Sequence, residues 1–158
     1  MILYVVRHAI AEDRDPERWP DDAKRPLTPD GEERFREAAR GLRRIAPSVD
    51  LVLSSPYVRA WWTAQILHAE AGWPAPETCD ALAAERSPAD ALAAIPAGED
   101  GRMVAVVGHE PQLSGLVSLV LTGDADAVSL DFKKGGVVRL DGSTLRWIAT
   151  PKLLRALR

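Results

Sequence analysis

The stretch Leu3–Glu12 reads LYVVRHAIAE, and its first half decides the fold class. Leu3, Tyr4, Val5 and Val6 are consecutive apolar residues, all but Leu3 β-branched or aromatic, with no polar residue at alternate positions. A strand solvated on one face alternates, whereas one covered on both faces does not. Ile2–Val6 therefore reads as a short strand inside a sheet sandwiched between helices. It runs straight into Arg7 and His8, so two side chains able to carry positive charge stand where a buried strand ends.

Two later segments repeat the pattern, Asp50–Ser54 (DLVLS) and Met103–Val107 (MVAVV). Helical signals lie between them. Thr28-Pro29 supplies an N-cap and a first-turn proline. Phe35, Ala38, Ala39, Leu42, Ile45 and Ala46 then recur at helical spacing until Pro47 closes the helix. Ser55-Pro56 opens a second helix that runs to about Ala71 and is stopped by Gly72. Ser87-Pro88-Ala89-Asp90 has the form of a capping box and starts a short helix to Ile95. The turn-rich Pro96–Arg102 leads into the third strand. Gly108-His109-Glu110-Pro111 follows, then an apolar helix to Leu121. Val137–Leu140 and Leu145–Ile148 flank Asp141-Gly142 as a hairpin. Strands alternating with helices imply an α/β three-layer sandwich: a mainly parallel central sheet flanked by helices, with an antiparallel edge hairpin.

The bulk composition bounds the remaining possibilities. The chain has 158 residues, 46% hydrophobic and 27% charged, which suits a single domain over residues 1–158. A net charge of −3 gives no whole-molecule attraction to nucleic acid or to an anionic membrane, so neither is expected as a partner. The apolar run Ile2–Val6 is too short for a signal-peptide core or a membrane span. Cys79 is the only cysteine, so no intramolecular disulfide forms and a cytoplasmic location is expected.

In open α/β sheets, ligands gather at the carboxyl ends of the strands. Arg7 and His8 follow the first strand, Arg59 lies near the first turn of the helix after the second, and His109 follows the third. Topology thus brings four groups to one sheet edge. Guanidiniums present forked donors that match a tetrahedral oxyanion. Neutral histidine is a nucleophile or base near neutral pH. Phosphoryl transfer needs that combination: positioning, charge neutralisation and an in-line nucleophile. A neutral His8 would take the phosphoryl group and water would remove it, with Arg7, Arg59 and His109 holding the oxygens. Singly, each has an ordinary reading: a solvated strand end, a loop histidine, a surface arginine. Placement after three different strands favours the functional one.

These residues resemble a known family. VVRHAIAE (Val5–Glu12) is similar to the Arg-His signature of the histidine phosphatase, or phosphoglycerate-mutase-like, superfamily. RPLTPDGEE (Arg25–Glu33), VLSSPYVRAWWTA (Val52–Ala64) and VVGHEPQLSGL (Val106–Leu116) match its later blocks in order. With the short length, the chain resembles the SixA-type phosphohistidine phosphatases. The resemblance implies that His8 becomes phosphorylated, that Arg7, Arg59 and His109 complete the phosphate pocket, and that Arg25 joins it from the preceding loop. It implies a metal-independent enzyme without cofactor. It also implies a phosphohistidine-bearing protein as partner, such as a phosphorelay or phosphocarrier protein.

Larger members of that superfamily carry an acidic proton donor. Glu85 is the nearest counterpart, with Glu12 and Glu110 competing, and it stays outside the expected catalytic set. A labile P–N bond makes less demand on such an acid than a phosphate monoester does. No long insertion follows Arg59, so no lid is expected, and an uncovered site suits a side chain on another protein. The rival readings are a phosphatase of a small phosphorylated metabolite and a non-catalytic phosphate- or phosphohistidine-binding module. Metal hydrolysis finds no support, because HAIAE is not HExxH and His68 reads as a helix-surface residue. Of the adjacent Trp61 and Trp62, at least one is expected to pack in the core. Lys133-Lys134 reads as a solvated turn, with recruitment of an acidic protein the lesser alternative.

Overall fold

The computed structural model describes residues 1–98 and 100–158. The Pro96–Arg102 connection contains Glu99, which lies outside the described residues. Six strands form one sheet: β1 Ile2–Arg7, β2 Leu51–Ser54, β3 Glu77–Thr78, β4 Met103–Gly108, β5 Val137–Asp141 and β6 Thr144–Ala149. Their spatial order is β3-β2-β4-β1-β5-β6. β1, β2, β3 and β4 run parallel, while β5 and β6 pair antiparallel at one edge. The two-residue β3 carries no periodic signal of its own, and its sequence gave no indication of a strand.

Two apolar layers cover the sheet. Tyr4, Val6, Val52, Ala105 and Val107 pack on one face against α1 (Pro29–Ile45), α2 (Val58–Ile66) and α5 (Pro151–Ala156). Leu3, Val5, Val104 and Val106 pack on the other against α3 (Pro88–Ala94) and α4 (Gln112–Thr122). Successive residues of β1 and β4 thus enter opposite cores, which is why neither strand alternates.

The caps lie where local chemistry puts them. Thr28 Oγ1 accepts from Gly31 N–H at 2.9 Å, and Ser87 with Asp90 closes a reciprocal capping box. α2 passes into one π-helical turn, Leu67–Ala71, ended by Gly72 at φ +77°, a conformation glycine adopts without penalty. Ser55-Pro56 does not itself begin α2: Tyr57 is the N-cap, and Ser55 is freed for the site described below.

Neither Trp61 nor Trp62 belongs to the core, contrary to expectation: Trp61 is half-buried and Trp62 exposed. Trp73 fills that role instead. Its Nε1–H donates to the Ala46 carbonyl at 2.9 Å and its ring lies 5.5 Å from that of Tyr4. His68 is exposed as expected, and its Nδ1 bonds the Trp73 carbonyl at 2.7 Å.

The terminal α5, unforeseen in the sequence, repeats the Thr-Pro start with Thr150-Pro151 and packs along α1. The helices meet at Gly41, where a Cβ would overlap the Leu154 carbonyl. Gly41→Ala should therefore lower the unfolding free energy by about 1–3 kcal/mol through overpacking. Denaturant titration measures this directly, and unchanged stability would show that α5 shifts freely.

Candidate active site

Strand register assembles the site. Arg7 pairs with Gly108 and Ser54 with Val107, so His8, His109 and Ser55 emerge side by side from three parallel strands. The His8 and His109 rings stand 5.2 Å apart, centroid to centroid. Both are buried, as are Arg25 and Arg59, and Arg7 is half-buried beside them.

His8 has one tautomer open to it. Its Nδ1 lies 2.7 Å from the Ala9 carbonyl, which can only accept, so Nδ1 carries the hydrogen and Nε2 keeps its lone pair. Gly135 N–H bonds both the Arg7 and His8 carbonyls, at 3.1 and 3.0 Å, fixing the backbone around the ring.

His109 is oriented differently. Its Nε2 lies 2.7 Å from Ser55 Oγ, which already accepts from Tyr57 N–H at 3.2 Å. Ser55 Oγ can donate its hydroxyl hydrogen to Nε2, and in that tautomer His109 presents Nδ1–H as a donor; Nδ1 is buried and has no protein partner. Arg7 Nε and Arg59 Nε are buried and unpartnered as well. With His109 protonated at Nδ1, these three unpartnered nitrogens make an arrangement that a tetrahedral oxyanion satisfies.

The loop between β1 and α1 completes the cluster. An isolated bridge pairs Ala11 with Leu27, and Thr28 N–H donates to the Ile10 carbonyl at 3.1 Å, so the loop returns to the strand end. Its 3-10 turn, Asp22–Lys24, supplies a residue that sequence reasoning missed. Asp22 Oδ1 accepts from Arg25 Nε at 2.9 Å and Oδ2 from Arg59 Nη2 at 3.0 Å, while its carbonyl accepts from Arg59 Nη1 at 2.8 Å. Burial raises the Asp22 carboxyl pKa, but the Arg25 hydrogen bond and the Arg59 charge more than reverse that, leaving it below the usual range. Arg25 also donates from Nη1 to the Glu12 carbonyl at 2.6 Å.

Thr63 links the elements, accepting from Ala9 N–H at 3.0 Å and donating to the Arg59 carbonyl at 2.7 Å. Tyr57 packs its ring against both His109 and Arg59. Ser55, Tyr57 and Thr63 lie within the Val52–Ala64 block and Asp22 in the loop before Arg25; none of the four was expected in the site, because each acts through a long-range partner.

Two candidate proton donors, Glu85 and Glu110, differ. Glu85 is exposed and accepts the Tyr57 hydroxyl hydrogen at 2.6 Å, a bond that holds its carboxyl below the usual range. Glu110 is half-buried, and burial raises its pKa. Glu85 is thus poorly suited to giving up a proton, whereas Glu110 is the more readily protonated of the two. Among the described residues no group of three His, Cys, Asp or Glu side chains could hold a metal ion.

Burial is the largest influence on both histidines, and the neighbouring arginine charges act in the same direction; each is pushed down to about 3. In the unfolded chain they would take up protons near pH 6.5. In the folded chain they stay neutral until far lower pH. The stability they contribute is complete above about pH 6.5 and is lost as pH falls toward 3, at up to about 1.4 kcal/mol per pH unit for each histidine. The melting temperature of wild type should therefore fall more steeply below pH 6.5 than that of His8→Asn. Parallel curves from scanning calorimetry would contradict this assignment.

An α/β sheet whose strand ends gather two histidines and three arginines defines an enzyme class that handles tetrahedral oxyanions. Comparison with known proteins makes this specific. The family model of the histidine phosphatase superfamily (branch 1) matches residues 3–88. A curated relative from Picosynechococcus, described only as uncharacterized, is 34% identical over 149 residues, covering 92% of this chain and 88% of its own. The protein histidine phosphatase SixA, solved with tungstate, superposes with a TM-score of 0.82 at 25% identity, covering 96% of this chain and 98% of that one. A protein assigned as phosphohistidine phosphatase SixA from Agrobacterium tumefaciens superposes at 0.78 and 25% identity, covering 95% and 97%. The chain belongs to the histidine phosphatase superfamily, and within it is similar to the SixA-type phosphatases. It is a hydrolase of phosphoryl groups, and the expected α/β architecture holds.

Proposed function

We propose that this phosphatase removes the phosphoryl group from phosphohistidine on a protein, through a phosphohistidine formed on His8. The observation that carries the reading is the His8 tautomer: Nδ1–H is committed to the Ala9 carbonyl, so Nε2 is the free nucleophile in a cluster of unpartnered donors. His8 Nε2 attacks phosphorus as the P–N bond to the substrate histidine breaks, and the departing imidazole takes up a proton from solvent, which the later hydrolysis of the phosphorylated His8 returns. Water then attacks the phosphorus on His8, releasing inorganic phosphate and restoring neutral His8. Arg7, Arg59 and the Nδ1–H of His109 hold the three transferring oxygens, and Arg25 adds charge from the loop.

A protein substrate is supported by the structural likeness to proteins named as histidine phosphatases. A solvent-exposed carboxylate in Glu85, tied down by Tyr57, suits a leaving group that departs readily. Phosphate release from a histidine-phosphorylated phosphotransfer domain, compared with release from small phosphate monoesters, tests the reading. Efficient turnover of a monoester with none of the phosphodomain would replace it with a metabolite phosphatase. Phosphate binding without turnover of either would indicate a reader module. Chelator should leave the rate unchanged, and a loss restored by added zinc would overturn the mechanism.

A further inference from the structure

Beside the site lies a cleft of about 730 Å³ that His8, Arg59 and His109 do not line but that shares Arg7 and Ala9 with them. We infer that this cleft is the docking groove for an acidic segment of the phosphohistidine-bearing substrate protein, a proposal that rests on the phosphatase reading above.

Ile10, Phe35 and Phe132 give it an apolar lining, with both phenylalanines buried and Ile10 exposed. Its rim is cationic, with Arg34, Lys133, Lys134, Lys152 and Arg155 against one acid, Asp131. That concentration occurs in a chain whose net charge is −3, so it does not follow from bulk composition. Arg34 pairs with Asp30 at 3.0 Å, Lys133 with Asp131 at 3.0 Å and Arg155 with Glu37 at 3.8 Å. Lys134 and Lys152 are exposed and have no ion pair among the described residues.

The groove is tied to the chemistry by its backbone. The turn that carries Lys133 and Lys134 continues into Gly135, whose N–H bonds the carbonyls of Arg7 and His8. The Arg7 guanidinium donates to the Phe132 carbonyl at 2.6 Å. A segment seated on Ile10 and Phe35 would therefore lie next to the nucleophile, held by a rim fixed to the nucleophile's own strand. Complementary charge of this kind acts on encounter and register more than on the chemical step.

The test is the double variant Lys134→Glu with Lys152→Glu, assayed at low ionic strength. One substrate is a histidine-phosphorylated phosphotransfer domain with acidic residues around its phosphohistidine; the other is the phosphoramidate ion. KM for the domain should rise about tenfold with kcat unchanged, and phosphoramidate hydrolysis should not move. Lys134→Gln with Lys152→Gln should give a smaller rise, and high salt should bring the wild-type and variant KM values together. Unchanged KM for the domain, with wild type active on both substrates, overturns the groove and leaves the phosphatase reading standing. Wild-type activity on phosphoramidate alone overturns the protein substrate and the groove with it. Retention on vesicles containing phosphatidylserine, lost in the double variant while KM for the domain stays put, assigns the rim to membranes and also overturns it.

Discussion

His8→Ala should lower kcat/KM for the phosphorylated protein by about 10⁴-fold or more, the scale seen when a covalent nucleophile is removed. That corresponds to about 5.4 kcal/mol of transition-state stabilisation. The His8 ring is held by its Nδ1 bond to Ala9 and lies 5.2 Å from the ring of His109, which is itself turned toward Ser55 by its Nε2 bond. With Nε2 engaged, His109 cannot offer the same lone pair, so no second nucleophile substitutes. Rapidly mixed wild-type enzyme quenched in alkali should carry an acid-labile, alkali-stable phosphate that His8→Ala lacks. The variant should still bind inorganic phosphate, because Arg7, Arg25, Arg59 and His109 remain. Residual activity within tenfold of wild type would mean that water attacks phosphorus directly.

Arg59→Ala should lower kcat/KM by about 10²–10³-fold, or roughly 2.7–4 kcal/mol, the cost of losing a preorganised donor to developing charge. Arg59 has a second task that makes lysine a poor replacement. Its Nη1 and Nη2 hold the Asp22 carbonyl and carboxylate at 2.8 and 3.0 Å, and a single ammonium cannot reproduce that planar fork. Asp22 in turn holds Arg25 at 2.9 Å, so losing Arg59 loosens the loop that brings Arg25 to the site. Arg59→Lys should therefore recover less than a tenth of the lost rate. A double-mutant cycle with Asp22→Asn should show a coupling energy above about 0.5 kcal/mol. Strict additivity would mean that Asp22 and Arg59 act independently.

Much of this was legible before any fold was drawn. Non-alternating β1 and β4 imply a sheet covered on both faces, and Thr28-Pro29 and Ser87-Pro88 mark helix starts that the structure keeps. The same local chemistry at Thr150-Pro151 was overlooked because α5 is only one and a half turns long and owes its place to Gly41 of α1. The tryptophans show where local reading stops: Trp61, Trp62 and Trp73 are chemically alike, and only the layer each meets decides that Trp73 is buried.

The site divides the same way. Arg7, His8 and His109 adjoin strand ends, so once the strands are parallel their side chains must meet, and this much follows from sequence order and the βαβ rule. Which ring nitrogen of each histidine is free, that Asp22 clasps two arginines, and that Glu85 is bound to Tyr57 depend on contacts spanning 28 to 54 residues wherever the partner is not a sequence neighbour. The chain alone determined which residue types reach the sheet edge, because strand direction and period are local properties of the backbone. Only tertiary structure decided their tautomers, their partners and the cationic cleft beside them, because those depend on register and on loops folding back across the sheet.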